Sequence, residues 1–234
     1  MRRHLLGLAL LFLASAACAA GDTPAHMELA RSFFTDLKPE NNYYINSVTG
    51  LRWKGDLFTS ENVAKTDCSG FVTDILRRAH SDVPTTLSLR GGRRRPLAED
   101  YYSNIVAQNG FARVDAINDV RIGDVIAWSY TRGTIGTGHV MFADSVPRKI
   151  KPYKPLVEGA EQWEIWVMDS TEGPHSRDDT RFRQDKHHAT GVGRGRIRLY
   201  VDASGKIAGK ANSFPSAKFS DESRAPTAIG RITK

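Results

Sequence analysis

The segment AKTDCSGFVTDILRRAH, residues 64–80, predicts a helix with a cysteine at its first position. Over residues 71–79 the apolar side chains recur at helical spacing, so one face of the helix is expected to be buried. Thr66 or Asp67 can cap the first turn. The unpaired N–H groups at a helix N-terminus favour a thiolate, which makes Cys68 a potential nucleophile.

Two more predicted helices and a set of predicted strands surround this segment. Amphipathic spacing predicts helices over residues 25–38 and 97–108, which end at Pro39 and at Asn109-Gly110. Four later segments rich in β-branched and aromatic residues predict strands, namely IGDVIAWSY (122–130), HVMFADSV (139–146), WEIWVMDS (163–170) and GRIRLYVD (195–202). Helices followed by strands predict an α+β domain with an antiparallel sheet.

The beginning of the chain has the order of a secretory signal peptide. Two arginines precede an apolar run over residues 5–13, and small residues follow it. The run is too short to span a bilayer, and no later stretch is apolar enough to anchor the chain. We therefore predict a signal peptide over residues 1–20, cleaved after Ala19 or Ala20, and a periplasmic or secreted protein. The alternative is a lipoprotein signal in which Cys18 is acylated.

Removal or acylation of Cys18 leaves Cys68 as the one thiol of the mature chain. Oxidising compartments favour paired cysteines or none, so an unpaired cysteine predicts a reactive thiol or an intermolecular disulfide. A small buried apolar side chain is the alternative. The position of Cys68 at a helix start favours the reactive thiol, because a structural cysteine belongs more naturally in the middle of an apolar helix face.

The mature chain of about 214 residues is long enough for one domain whose core needs no disulfide. We assign residues 21–210 to this domain and residues 211–234 to an irregular polar tail. The net charge of +7 falls to near +5 without Arg2 and Arg3, and it favours anionic surfaces such as cell wall, phospholipid headgroups or nucleic acid. The densest basic cluster, RGGRRRP (90–96), predicts a solvated loop, with an anionic-ligand patch as the alternative.

A thiolate nucleophile needs an imidazole, and the imidazole needs a polar group that orients it. His139 opens the second predicted strand. If this strand and the third form a hairpin folded about residue 154, His139 lies opposite Asp169, with the two Cβ atoms about 5 Å apart. A slip of one residue would move Asp169 to the other face of the sheet. These two side chains are the candidates for the base and its orienting carboxylate.

The charged segment 171–192 offers other candidates. Its histidines compete for the role of base or orienting group, and with an aspartate they are an alternative zinc site, although no tight ligand spacing supports it. The residues concerned are His175, His187, His188, Asp178 and Asp179. Segments of this length between strands are often mobile or act as lids.

Four segments resemble, in order and spacing, the NlpC-type papain-like cell-wall cysteine peptidases: DCSGFV (67–72), RIGDVIAW (121–128), GHVMFADS (138–145) and VMDST (167–171). The resemblance spans roughly residues 40–205. It implies a papain-like fold, with N-terminal helices and a nucleophile at a helix start packed on an antiparallel β-sheet. By this resemblance Cys68 would be the nucleophile, His139 the base, and Asp169 the third, orienting residue, a position where the family often has histidine.

The resemblance also implies residues that contact the substrate. Asp67 and Ser69 correspond to positions that help bind the substrate peptide. The segment GLRWKGD (50–56) keeps a tryptophan of the family pattern but has leucine where the family usually has tyrosine. Tyr43 or Tyr44 could substitute, so the side chain that assists the oxyanion stays open. No recognisable wall-binding repeat accompanies these segments.

The implied function is hydrolysis of an amide bond in peptidoglycan stem peptides, often the bond between D-glutamate and a diamino acid. The expected protein is a monomer that needs no cofactor or metal and does not span the membrane. A wall amidase, a lipid acyltransferase or a secreted toxin on the same site are alternatives, and so is an inactive wall-binding module. Nucleic-acid binding rests on the charge alone and is not expected.

Overall fold

A computed structural model of the chain describes residues 23–46, 50–131, 136–185, 187–214 and 216–233. The predicted signal peptide and Cys18 lie outside these residues. No helix in the described part of the chain is long and apolar enough to cross a bilayer.

The helices lie in the first half of the described chain, as the sequence predicts. They are α1 (Ala25–Thr35), α2 (Cys68–Ala79), α3 (Val83–Thr86) and α4 (Ala98–Val106), with single 3-10 turns at Pro39–Asn41, Arg90–Gly92 and Ile117–Asp119. The three predicted helices are confirmed as α1, α2 and α4. The bounds of α2 agree with the prediction, and it buries an apolar face that includes Phe71, Val72, Ile75 and Leu76.

The strands form two sheets. The small sheet has the order β1-β3-β2, from Asn42–Tyr44, Val63–Thr66 and Leu51–Arg52, and β1 runs parallel to β3. The large sheet is antiparallel and contains β4 (Phe111–Val114), β5 (Val125–Ser129), β6 (Gly138–Ala143), β7 (Arg148–Lys149), β8 (Glu161–Thr171), β9 (Gly191–Val201), β10 (Ile207–Ala211), β11 (Ser220–Asp221) and β12 (Thr227–Ile232). Its order is β11-β10-β9-β8-β6-β5-β12-β4, with β7 beside β8. The chain is therefore an α+β protein.

The large sheet separates two hydrophobic clusters because neighbouring residues of a strand point to opposite faces. Val125 and Phe142 lie on the face that packs with Phe71 and the other helix residues. Ile126 and Ile165 lie on the opposite face. Full burial of such a side chain stabilises the fold by about 1.5–3 kcal/mol. The helix α2 packs on β6 and β8, the strands that carry His139 and Asp169.

The expectation of an irregular tail over residues 211–234 is wrong for its last part. Residues 227–232 form β12, which lies between β5 and β4 in the large sheet. Ile229 is buried, and Gly230 lets Ile105 pack directly on the strand, since a Cβ at Gly230 would lie 2.7 Å from an Ile105 carbon. Polar residues surround this short segment, so its sequence does not predict a strand. It is a strand because it pairs with β4 and β5 in the folded chain.

Candidate active site

The sequence around Cys68 builds a tightly capped helix start. The Asp67 carboxylate accepts a hydrogen bond of 2.7 Å from the Gly70 N–H, which satisfies one of the free donors of the first turn. A Cβ at Gly70 would lie 2.2 Å from the Thr66 hydroxyl oxygen, so glycine is needed at this position. Cys68 is 7% exposed and forms no disulfide. The thiol therefore stands at a rigid helix start.

Cys68, His139 and Asp169 are brought together in the structure. The Nε2 atom of His139 lies 2.5 Å from Asp169 Oδ2, and the His139 side chain also hydrogen-bonds the Cys68 thiol. Because Nε2 faces the carboxylate, Nδ1 is the ring nitrogen that remains for the sulfur. The Trp128 ring lies against the imidazole, with the ring centroids 5.2 Å apart. The imidazole is thus fixed between a thiol, a carboxylate and an indole.

The strand register that joins His139 to Asp169 differs from the predicted one by two residues. Phe142 lies opposite Met168 and Ala143 opposite Val167, whereas a fold about residue 154 would place Ala143 opposite Ile165. A shift by two residues keeps the same side chains on the same face. The carboxylate therefore reaches His139 along a diagonal of the sheet. Between β6 and β8 the chain also forms the short strand β7, which pairs with β8.

The charges of the site keep His139 protonated at neutral pH. Burial by itself lowers the pKa of His139, but the negative charge of Cys68 and the hydrogen bonds to Asp169 and Cys68 raise it to about 10. An opposite charge within a few ångströms favours the charged form of the imidazole. His139 is therefore a proton donor held against the Cys68 sulfur.

Two further cations surround Asp169, and the sequence did not identify them as a unit. His175 Nε2 lies 2.7 Å from Oδ2 of Asp169, and Arg181 donates from Nη1 to Oδ1 at 2.9 Å. Burial by itself raises the pKa of Asp169, but the positive charges of His175 and Arg181 and the hydrogen bond from His139 hold it well below its usual range. Asp169 is completely buried and remains a carboxylate.

Both ring nitrogens of His175 have hydrogen-bond partners. Its Nδ1 lies 2.6 Å from the carbonyl oxygen of Asn212, and its Nε2 lies 2.7 Å from the Asp169 carboxylate. Both partners are hydrogen-bond acceptors. His175 therefore ties Asp169 to Asn212, and neither of its ring nitrogens is left to act on a substrate.

Arg181 ties the segment 171–192 to the sheet. It binds the Asp179 carboxylate through Nε and Nη2, each at 2.9 Å, in a bidentate pair. Arg181 is 1% exposed and Asp179 is 4% exposed. The segment is therefore anchored to the sheet at Asp179 and Arg181 by a buried ion pair. The many charged residues of the segment suggest exposure to solvent, but the opposite charges of Arg181 and Asp179 neutralise each other in the interior.

A pattern of glycines in β9 makes room for this cluster and is the sequence signal that was missed. Gly193 lies opposite Asp169, and a Cβ there would lie 2.6 Å from Arg181 Nε. A Cβ at Gly195 would lie 2.1 Å from an Asp179 oxygen. Alternate glycines in a strand indicate that another part of the chain approaches one face closely.

The other residues of the predicted zinc site are not brought together. His188 accepts a hydrogen bond from the Arg183 N–H, and Asp178 pairs with Arg196. In the described residues the group with the ligand spacing of a metal site is instead formed by His139, Asp169 and His175, whose ligand atoms lie within 4.8 Å of one another. These atoms already share protons, and the neighbouring Arg181 cation opposes a second cation.

Tyr44 is the tyrosine that approaches the thiol. It lies beside Thr66 in the pair of β1 and β3, and Cys68 follows two residues after Thr66. Burial raises the pKa of Tyr44, and the negative charges of Cys68 and Asp67 raise it further. Tyr43 belongs to the opposite face of the strand and is 44% exposed. Of the two tyrosines that the sequence left open, Tyr44 therefore has the position next to Cys68.

Asp67 and Ser69 do not present free side chains to a substrate. Both are buried, and the Ser69 hydroxyl donates to Asp67 Oδ1 at 3.0 Å. Arg95 donates to Asp67 Oδ2 at 2.5 Å and to Ser69 Oγ at 2.7 Å. The basic cluster 90–96 is therefore more than a solvated loop, because one of its arginines reaches the start of α2.

Comparisons with known proteins give one informative relative. No family model matches the chain, and no solved structure matches it. Uncharacterized protein R653 of Acanthamoeba polyphaga mimivirus is 34% identical to it over 177 residues, which cover 71% of this chain and 77% of R653. This chain belongs to the R653 family. The name of the relative states no activity.

In this member of the R653 family the six ionisable groups of the cluster around Asp169 balance one another in charge. Three of them are positive and three negative when the thiol is ionised: His139, His175 and Arg181 against Cys68, Asp169 and Asp179. A neutral cluster reduces the cost of burying charges, provided that each group keeps its partner. Chemically, the arrangement can attack an electrophilic carbon with sulfur and deliver a proton from the imidazolium.

Proposed function

We propose that this protein is an exported cysteine peptidase of papain-like fold, which hydrolyses amide bonds in peptidoglycan stem peptides. The observation that carries the proposal is the chain of hydrogen bonds from Cys68 through His139 to Asp169, with the cysteine at a capped helix start. A nucleophile, its base and an orienting carboxylate are the parts that nucleophilic catalysis requires. The peptidoglycan substrate and the export rest on the sequence resemblance and on the N-terminal segment.

The first half of the reaction forms an acyl-enzyme. The Cys68 thiolate attacks the amide carbon, a C–S bond forms, and the π electron pair moves to the oxygen. In this proposal the N–H groups at the start of α2 and the Tyr44 hydroxyl stabilise that oxyanion. His139 then gives its proton to the leaving nitrogen as the C–N bond breaks.

The second half releases the acyl group. Neutral His139 takes a proton from water, and the resulting hydroxide attacks the thioester carbon. The C–S bond breaks, Cys68 leaves as a thiolate, and His139 is again an imidazolium next to it. Throughout, the Asp169 carboxylate accepts the hydrogen bond from Nε2 of His139 and so holds the imidazole in place. His175 and Arg181 keep that carboxylate ionised.

Digestion of purified peptidoglycan tests the proposal. We expect the wild type to release peptide fragments that mass spectrometry identifies, and Cys68→Ala to release none. His187→Ala is the matched control, because His187 is an exposed histidine outside the site. Equal products from the wild type and Cys68→Ala would overturn the thiol mechanism. Products that join the acyl group to a lipid or amine instead of water would identify an acyltransferase.

A further inference from the structure

Arg95 contacts both residues that flank the nucleophile. Its guanidinium binds Asp67 through two nitrogens, at 2.5 and 3.1 Å, and it binds the Ser69 hydroxyl at 2.7 Å. The Asp67 side chain is 7% exposed, whereas the Arg95 side chain is 22% exposed. The solvent side of this pair is therefore formed by the cation.

This arrangement changes what the start of α2 can bind. A carboxylate and a hydroxyl beside a nucleophile would by themselves attract an ammonium group of a substrate. Here the acceptor oxygens of Asp67 and Ser69 already receive hydrogen bonds from Arg95. A substrate ammonium group would have to displace a guanidinium that is held in a bidentate pair, which is the stronger kind of charged hydrogen bond.

The neighbouring charges act in the same direction. Arg94 is exposed and forms no ion pair with the described residues, so its charge adds to that of Arg95. Arg93 differs, because it pairs with Glu99 at 2.6 Å and with Asp100 at 3.3 Å. The rim of the site beside Asp67 therefore carries uncompensated positive charge at Arg94 and a bound cation at Arg95.

We propose that Arg95 makes the substrate subsite beside Cys68 selective for a carboxylate-bearing group and against an ammonium group. The proposal names the substrate class of the site and rests on the peptidase function proposed above. Stem peptides with a carboxylate-bearing group in this position would be substrates, and peptides with a free amine there would be poor ones. Loss of Arg95 would expose Asp67 and reverse the preference.

Alkylation of Cys68 by small reagents of different charge tests the subsite without any turnover. The reagents are iodoacetate, which is anionic, iodoacetamide, which is neutral, and 2-bromoethylamine, which is cationic. Each rate is divided by the rate of the same reagent with glutathione, so that intrinsic reactivity cancels. Modification is read by mass spectrometry on the tryptic peptide 66–77, which contains Cys68 and excludes Cys18.

The wild type should react faster with iodoacetate than with 2-bromoethylamine after this correction. The preference should weaken as salt is raised, because exposed charges are screened. Arg95→Gln should lower the ratio of iodoacetate to 2-bromoethylamine rates about fivefold, and Arg95→Lys should keep most of it. Arg93→Gln is the matched control and should leave the ratio unchanged, because Arg93 is paired away from the thiol.

Two outcomes would overturn the proposal. The first is a wild type that prefers the cationic reagent, a result that needs no variant and so does not depend on the folding of Arg95→Gln. The second is a ratio that is the same in the wild type, Arg95→Gln and Arg93→Gln.

Matched stem peptides separate this proposal from the proposed function. One peptide has a free N-terminal amine and the other the same amine succinylated. Both proposals would be supported if the wild type preferred to cleave the succinylated peptide and Arg95→Gln preferred to cleave the peptide with the free amine. Cleavage of neither peptide would count against the peptidase function, while the alkylation ratios would still decide the charge of the subsite.

Discussion

Two charged loops each send an arginine to a carboxylate of the site, and the two arginines lie in different surroundings. Arg95, from the basic cluster 90–96, binds Asp67 and keeps part of its side chain exposed. Arg181, from the segment 171–192, binds Asp169 and Asp179 in the interior. Both segments are rich in charged residues in the sequence. The difference is burial, and burial determines how much each ion pair contributes to stability.

A buried ion pair becomes costly when one partner is removed, because the other charge is left without compensation. A partly exposed pair can be replaced by water with little loss. We therefore expect Arg181 to act mainly on the stability of the fold, and Arg95 mainly on the selection of ligands. The predictions below test these different roles of Arg181 and Arg95.

The largest expected effect is that of Arg181→Met. The substitution leaves Asp169 and Asp179 without their shared cation, so the free energy of unfolding should fall by about 3–5 kcal/mol. Urea unfolding followed by circular dichroism measures it. Arg113→Met is the control, since Arg113 pairs with Asp115 on the surface and should change stability by less than about 1 kcal/mol. A similar loss of unfolding free energy in Arg181→Met and Arg113→Met would contradict the structural role of Arg181.

His175→Leu tests the second cation on Asp169. It removes two buried hydrogen bonds and should cost about 2–3 kcal/mol near pH 5.5. In the wild type the pKa of Asp169 is held well below its usual range, so the stability from this carboxylate is present above about pH 4 and is lost as the pH falls further. Loss of the His175 charge raises the folded-state pKa of Asp169 towards its unfolded value.

The difference in unfolding free energy between the wild type and His175→Leu should therefore narrow as the pH falls from about 5.5 to about 3. Urea unfolding at both pH values gives this difference. If it stayed constant across that range, His175 would act through packing and not through the charge of Asp169.

The pKa of His139 predicts the alkaline limit of hydrolysis. Because this pKa is raised to about 10, the proton needed by the leaving amine is lost as the pH rises through that value. We expect kcat/KM to fall by about tenfold per pH unit above it. Alkylation of Cys68 by iodoacetamide should not fall in the same range, because a thiolate needs no proton donor. A parallel decline of both rates would point to unfolding as the cause.

The smallest expected effect on stability is that of Arg95→Gln. The pair with Asp67 is partly exposed, so the free energy of unfolding should change by no more than about 1 kcal/mol. Thermal and urea unfolding measure the change. A loss as large as that of Arg181→Met would show that Arg95 is a structural residue and would remove the contrast between the two loops.

The sequence was sufficient where short-range rules apply. The bounds of α2, its cap at Asp67 and the cysteine at its first position follow from spacing, capping and turn chemistry within a few residues. The side of the sheet shared by His139 and Asp169 also followed, because an error of two residues in register does not change the face.

The sequence was insufficient where partners are distant. The cluster of His175, Asp179 and Arg181 depends on the approach of a loop to β9, and charge runs give no sign of which charges will be buried together. The strand β12 forms because β4 and β5 leave a place between them, and its own six residues carry too little information. The alternate glycines of β9 were a usable signal, because they mark a face that another segment approaches.

The most direct test of the central claim is the rate of Cys68 alkylation by iodoacetamide at pH 7 in the wild type, His139→Ala and His187→Ala. The peptide 66–77 again reports the modification. If His139 and Cys68 form a thiolate–imidazolium pair, the wild type and His187→Ala should react at the same rate. His139→Ala should then react at least about tenfold more slowly. Equal rates in all three proteins would contradict the claim that Cys68 is an activated nucleophile.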